Sequence, residues 1–241
     1  MPRRLASAAA VLALAVGAAA CGDDETTTAS SETDPAASST TVEETTQSTT
    51  TVDSENVNTD FGALTPDVEV DEREGTPPPP ASADLEAAAE AAGCDLQLDL
   101  PDEGNKHLDD PEEIPAYETS PPTSGDHFAD FNETGAGAFA DGAFLDTPPA
   151  NRVVHSLEHG RVAIQYSPDL AEEDQLALKG VFDDDRPGVL LFPNPEMPYE
   201  VATTAWTQLM GCDSYAGDAT LEAVQAFRDE FRGKGPEAVT F

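Results

Sequence analysis

An α+β fold is predicted: a single compact domain with a small mixed sheet and two or three helices, carried behind a disordered N-terminal tether. Three observations lead there. Apolar runs of strand length and stripes of helical period follow one another over residues 84–241 in the order β-α-β-β-α. Residues 22–60 hold 18 Ser or Thr in 39 positions with no aromatic, Leu or Ile, which leaves nothing from which to build a core. The remaining 158 residues suffice for one domain that buries about 70% of its unfolded surface. A thioredoxin-like arrangement has a similar run of elements and is the alternative, although no Cys-x-x-Cys supports its chemistry.

The chain opens as an export signal. Arg3 and Arg4 precede an apolar stretch from Leu5 to Ala20, whose 16 residues fall short of the roughly 20 that span a bilayer. The stretch ends Ala18-Ala19-Ala20-Cys21, which resembles the bacterial lipobox, where the cysteine is acylated and becomes the mature N-terminus. Residues 1–20 are then a signal peptide and Cys21 a lipid anchor, placing the protein on the outer face of the cell membrane. The same residues also satisfy an ordinary Ala-x-Ala cleavage site.

Residues 21–83 are expected to form the tether. From 22 to 83 there are 15 acids against one Arg, and the segment closes on Thr76-Pro77-Pro78-Pro79-Pro80. Self-repulsion and the proline run favour an extended chain.

The domain, 84–241, begins with Asp84, which can cap a short helix through Ala92 that stops at Gly93. A polar stretch rich in Gly and Pro follows from Asp95 to Asn151. Arg161 to Tyr166 reads as a strand, and Asp169 with Glu172 three residues on opens a helix carrying Leu170, Leu176, Val181 and Phe182. Gly188 to Phe192 is a buried strand ended by Pro193, and Tyr199 to Trp206 is its β-branched partner. The last helix aligns Leu221, Val224, Phe227 and Phe231 and stops at Gly233.

Charge excludes one class of function. With 11 Lys and Arg against 48 Asp and Glu, the net charge is −37, so a nucleic-acid backbone would be repelled. A strongly acidic surface with three Lys in the whole chain fits solvation and non-stickiness.

With Cys21 acylated, Cys94 and Cys212 remain. Outside the cytoplasm their simplest fate is a disulfide tying the first helix region to the end of the third strand; copper or zinc ligation by a thiolate is the alternative.

All four histidines fall between 107 and 159, each in a polar, glycine-flanked setting. His107 follows Gly104-Asn105-Lys106, and His127 follows Ser124-Gly125-Asp126. His155 and His159 bracket Glu158 in His155-Ser156-Leu157-Glu158-His159-Gly160. Four imidazoles so placed point to a copper or zinc site, with Glu158 as fifth ligand or as a partner behind the ligands. The His-x-x-Glu-His spacing also has the inverzincin form, in which Glu158 would activate water on zinc. Either use requires a helical segment, because i and i+4 lie about 6 Å apart on a helix and about 13 Å apart on a strand.

Several blocks together resemble a known family. They are Pro121-Pro122-Thr123-Ser124-Gly125-Asp126-His127, Val154 to Gly160, Leu191-Phe192-Pro193-Asn194, Ala202 to Trp206, and Lys234-Gly235-Pro236-Glu237. They are similar to the uncharacterised bacterial extracytoplasmic family DUF3105 over about residues 93–237, departing at Asp126, where proline is expected. The resemblance implies a shared domain and location and no particular reaction.

Three functions are therefore open: a lipid-anchored extracytoplasmic metal-binding domain, a zinc hydrolase or peptidase using Glu158, and a surface interaction module without metal. For the anchor, Cys21→Ser is expected to leave the precursor unprocessed and release the protein from membranes. Unchanged size and membrane association on fractionation would contradict it.

Overall fold

The computed structural model describes residues 57–58, 68–82, 84–129 and 138–241. The expected signal peptide, the Cys21 lipidation site and most of the expected tether lie outside the described residues. No helix among the described residues is long and apolar enough to cross a membrane.

The architecture is α+β, with four helices where two or three were expected. Strands β1 (Val57–Asn58), β2 (Cys94–Gln97), β5 (Asp141–Ala143), β6 (Val162–Tyr166), β7 (Val189–Pro193), β8 (Val201–Ala205) and β9 (Gln208–Cys212) form one sheet in the order β1-β5-β7-β6-β8-β9-β2. The sheet is mixed: β5, β7 and β6 run parallel to one another, while β6–β8, β8–β9, β9–β2 and β1–β5 are antiparallel. Strands β3 (His107–Leu108) and β4 (His127–Phe128) pair separately, in parallel.

Side chains alternate across the sheet, so each strand feeds two cores. One face presents Val162, Ile164, Tyr166, Val189, Leu191, Val201 and Met210 to helices α1 (Leu85–Ala92), α3 (Glu172–Asp184) and α4 (Asp218–Phe231). The other presents Ala163, Leu190 and Phe192 to helix α2 (Ala150–Glu158), whose Val153, Val154 and Leu157 close a second core with Phe139, Phe144 and Trp206. Burial on both faces explains why β6 and β7 read as nearly unbroken apolar runs. Each buried Leu or Phe contributes roughly 1.5–3 kcal/mol of transfer free energy. A buried ion pair ties the strand starts together: Arg161 Nε meets Asp141 Oδ1 at 2.5 Å, and Asp141 Oδ2 accepts from the Gly188 N–H at 2.8 Å.

Local signals were kept in part. Asp84 caps α1 by accepting from the Ala87 N–H at 3.1 Å, and Gly93, at φ +70°, ends it in the left-handed conformation. Helix α3 instead starts at Glu172 with no side-chain cap, because Asp169 is held in the preceding turn, where its N–H donates to Ser167 Oγ. Strand β9 went unread. It turns back from β8 through Trp206 and Thr207, and Thr207 takes φ +60° without the Gly or Asn that usually announces such a turn.

The expectation of disorder up to residue 83 does not hold for residues 68–82. The Asp71 N–H donates to Ala143 O at 2.8 Å and the Thr76 N–H to Leu176 O at 2.8 Å, while Pro79 O accepts from Gln225 Nε2 at 3.0 Å. Asp71 is buried and paired with Arg73. The strap crosses α3 where two glycines meet: a Cβ on Gly75 would lie 2.3 Å from the Gly180 nitrogen. Composition counts apolar side chains; this segment is held by its backbone.

Cys94 and Cys212 form the expected disulfide, with Cα atoms 4.2 Å apart on directly opposed positions of β2 and β9. Cys212 thus ends β9, one strand beyond the third strand that was expected to carry it. The bridge closes a loop of sequence separation 118, so the Cys94→Ala/Cys212→Ala double variant is expected to lose about 4–5 kcal/mol in a denaturant titration by the chain-entropy model. An unchanged midpoint would show that the sheet edge holds without the bridge.

Candidate metal centre

Two loops and one helix end supply the site. The loops carrying β3 and β4 lie side by side, with His107 paired to His127 and Leu108 to Phe128. They are laced by the Gly125 N–H to Gly104 O (2.9 Å), the His127 N–H to Lys106 O (3.0 Å) and the Lys106 N–H to Asp126 Oδ1 (3.1 Å). Gly125 sits at φ +128° with the Tyr117 ring 2.8 Å from where a Cβ would be, so the loop closes this tightly only with glycine. The Tyr117 hydroxyl donates to Asp126 O at 3.0 Å.

Helix α2 brings His155 and Glu158 onto one face, three residues apart, with His159 as its C-cap. The helical segment that the His-x-x-Glu-His spacing requires is present as a nine-residue helix. Its carbonyl end is covered by the C-terminal segment. The Glu237 N–H donates to Glu158 O at 3.0 Å, and the Val239 N–H to His159 O at 3.3 Å. Gly235 lies so close that a Cβ would meet Glu158 O at 2.1 Å.

The resulting cluster is His107, His127, His155 and Glu158, whose ligating atoms all lie within 4.8 Å of one another. His127, His155 and Glu158 are fully buried, and His107 keeps an edge toward solvent. Glu158 Oε2 is 3.0 Å from His127 Nε2 and 3.2 Å from His107 Nε2. The His127 and His155 rings stack with centroids 4.7 Å apart, and the edge of Trp206 meets His127 at 6.2 Å.

Backbone carbonyls set the tautomers. A carbonyl oxygen only accepts, so His127 Nδ1–H donates to Gly125 O at 2.8 Å and His155 Nδ1–H to Phe128 O at 2.9 Å. A ring that carries its single proton on Nδ1 in this way turns its Nε2 lone pair inward. His159 repeats the pattern, with Nδ1–H to Glu237 O at 3.2 Å and Nε2 only 3.0 Å from His155 Nε2. Lone pairs then face a carboxylate oxygen at His127 and each other at His155 and His159. The interior is short of positive charge between its acceptors.

Protonation does not supply that charge at His155. Burial, reinforced by the neighbouring His127, His159 and His107, lowers its pKa from 6.5 to about 3. His159 is also lowered, by burial first and then by the Arg161 guanidinium, against the opposing pull of Glu237 and Glu158. Burial works to raise the Glu158 carboxyl, but His127 and His107, whose Nε2 atoms lie 3.0 and 3.2 Å from Oε2, outweigh it and bring the pKa down to about 2. Glu158 is therefore an anion at neutral pH.

All five residues singled out in the sequence converge, but not as the expected four-histidine set. Glu158 stands among the ligating atoms and His159 does not; His159 stands beside His155 and shares a second group with Glu158 and Glu237. The reason is the helix register, which turns His159 toward the C-terminal segment. Glu237, the Gly125 and Phe128 carbonyls and the Trp206 edge were not foreseen as parts of the site. Gly125, Trp206 and Glu237 had a signal in lying within the Pro121–His127, Ala202–Trp206 and Lys234–Glu237 blocks, and Phe128 had none.

A family model described as "Protein of unknown function (DUF3105)" matches residues 107–240, a span that starts at His107 and contains every residue of the cluster. No curated protein and no solved structure matches the chain.

The depressed pKa values make the metal-free domain acid-sensitive. Between pH 6.5 and 3 the unfolded chain protonates His155 while the folded one keeps it neutral, so stability falls as pH drops through that window, by up to about 1.4 kcal/mol per pH unit. Glu158 adds a loss from pH 4.5 toward 2 as its carboxylate is protonated. His155→Gln is expected to flatten the slope between pH 6.5 and 4.5 in urea melts of metal-free protein. Parallel pH profiles for variant and wild type would contradict this assignment.

Proposed function

The chain belongs to the DUF3105 family, whose model covers more than half of it, and on that premise we propose that the domain is a transition-metal binder displayed outside the cytoplasm on a lipid anchor at Cys21. The observation that carries the reading is the inward convergence of three imidazoles and one anionic carboxylate, with the protons of two rings committed to backbone carbonyls. Fixing Nδ1–H on a carbonyl is how proteins orient a histidine whose Nε2 is to bind a metal. A buried cation would satisfy at once the carboxylate oxygen and the nitrogens that face it.

The donor set suits zinc or copper(II). Imidazole and carboxylate suit both ions, and the two thiols that would favour copper(I) are tied up in the Cys94–Cys212 bridge. Four protein ligands favour holding an ion over hydrolysis with it, since a hydrolytic ion keeps a position for water. In the inverzincin reading Glu158 stands off the metal as a base. Here its Oε2 lies 3.0–3.2 Å from two of the nitrogens that would hold the ion, inside the ligand set. The half-exposed edge of His107 offers the ion a way in.

Purified chain stripped with chelator and titrated with zinc or copper(II) is expected to take up tightly held metal. His127→Ala and Glu158→Gln should each weaken the binding at least tenfold while the Cys94–Cys212 bridge stays formed. Equal uptake by wild type and both variants, or none by any at micromolar metal, would overturn the reading.

A further inference from the structure

Glu158 has two carboxylate oxygens, and the cluster described so far engages only one. Oε2 faces His107 and His127, whereas Oε1 is buried and has no hydrogen-bond partner among the described residues. An ionised oxygen shut away from water without a donor is costly, so a buried orphan of this kind asks for an explanation. The same carboxylate also belongs to a second convergent set. Ligating atoms of Glu158, His159 and Glu237 lie within 4.8 Å of one another, on the side toward the C-terminal segment.

That second set is built, not accidental. The Glu237 backbone is tied to the end of α2 at both ends: its N–H donates to Glu158 O at 3.0 Å and its carbonyl accepts from His159 Nδ1–H at 3.2 Å. The same bond orients His159, leaving Nε2 as its free donor atom, 3.0 Å from His155 Nε2. Nitrogens this close, with both Nδ1 protons spent on carbonyls, are brought together by positive charge. Among the described residues Arg161 acts on His159 and disfavours its protonation, and the Arg161 Nε is paired with Asp141 at 2.5 Å. Exposure differs between the sets: the first is buried apart from one edge of His107, while His159 is half-buried and Glu237 exposed.

We propose that the centre takes two divalent cations bridged by Glu158, an inner ion on His107, His127, His155 and Oε2 and an outer ion on Oε1, His159 and Glu237. The proposal rests on the metal-binding reading above and goes beyond it in number and arrangement. A carboxylate bridge holds paired ions about 3.5–4 Å apart, which suits two ligand sets sharing one side chain. With three protein ligands and an exposed flank, the outer ion keeps at least one position for water or an anion. It is the exchangeable one, and the inner ion is the retained one.

Stoichiometry tests this with zinc as the probe. Full-length chain stripped with chelator, reloaded with zinc and desalted is expected to carry two ions per chain. Glu237→Gln, a surface change that keeps size and fold, and His159→Ala should each carry one. Cobalt(II) loaded in place of zinc should show magnetic coupling in the wild type and an uncoupled signal in both variants. One zinc in wild type and in both variants would overturn the paired centre and leave the single inner site standing. One zinc in wild type and none in His159→Ala would overturn it in favour of a single ion shared by His155 and His159. Two zinc ions in all three proteins would place the second elsewhere on the acidic surface and also overturn it. No zinc in any would remove both this proposal and the function on which it rests.

Discussion

A carboxylate buried at the wrong end of a helix is the constraint on which the rest of this structure depends. Glu158 is the last residue of α2, where the helix dipole is negative and the final carbonyls have no intrahelical donors. Burying an anion there is unfavourable unless donors and positive charge are brought to it. Two features of the fold meet that condition in part, covering the helix's last carbonyls and lining one carboxylate oxygen with imidazoles. The C-terminal segment bends back to donate the Glu237 and Val239 N–H groups to the end of the helix, and the paired loops of β3 and β4 deliver His107 and His127 to the carboxylate.

Holding those loops is in turn the task of elements with no chemistry of their own. Tyr117 packs on Gly125 and bonds the backbone beside it, while Phe128 gives its carbonyl to His155. Trp206, at the turn between β8 and β9, closes the core beneath His127. The sheet works as a wall with a largely apolar side facing α1, α3 and α4 and a side facing α2 that ends in the polar cluster. The Arg161–Asp141 pair and the Cys94–Cys212 bridge secure its two halves. The strap from 68 to 82 ties the chain N-terminal to α1 down over α3 and α4.

The chemistry was legible in the sequence to the extent that it sat in short patterns. His155, Glu158 and His159 are neighbours in the chain, and glycines flanking His107 and His127 marked loops suited to binding. The pairing of those two loops, 20 residues apart, left no periodic trace because each contributes only two residues of strand. The start of helix α2 is not announced in the sequence, because it follows Pro149 with no side-chain cap and in a context of prolines. Strand β9 was missed because Thr207 makes the reversal where glycine or asparagine would have signalled it.

By itself the sequence determined the class of the fold, the acidic character, the pairing of the two domain cysteines and, Glu237 apart, the residues that could bind a metal. Each of these follows from composition or from local spacing, where one residue reports on its near neighbours. Tertiary structure alone decided which of those residues share one centre. It put Glu158 among the nitrogens, turned His159 away toward Glu237, and assigned the ring protons to the carbonyls of Gly125, Phe128 and Glu237. The physical reason is that hydrogen-bond direction and burial at the site depend on chain segments up to 80 residues apart, and no local pattern encodes where those segments meet.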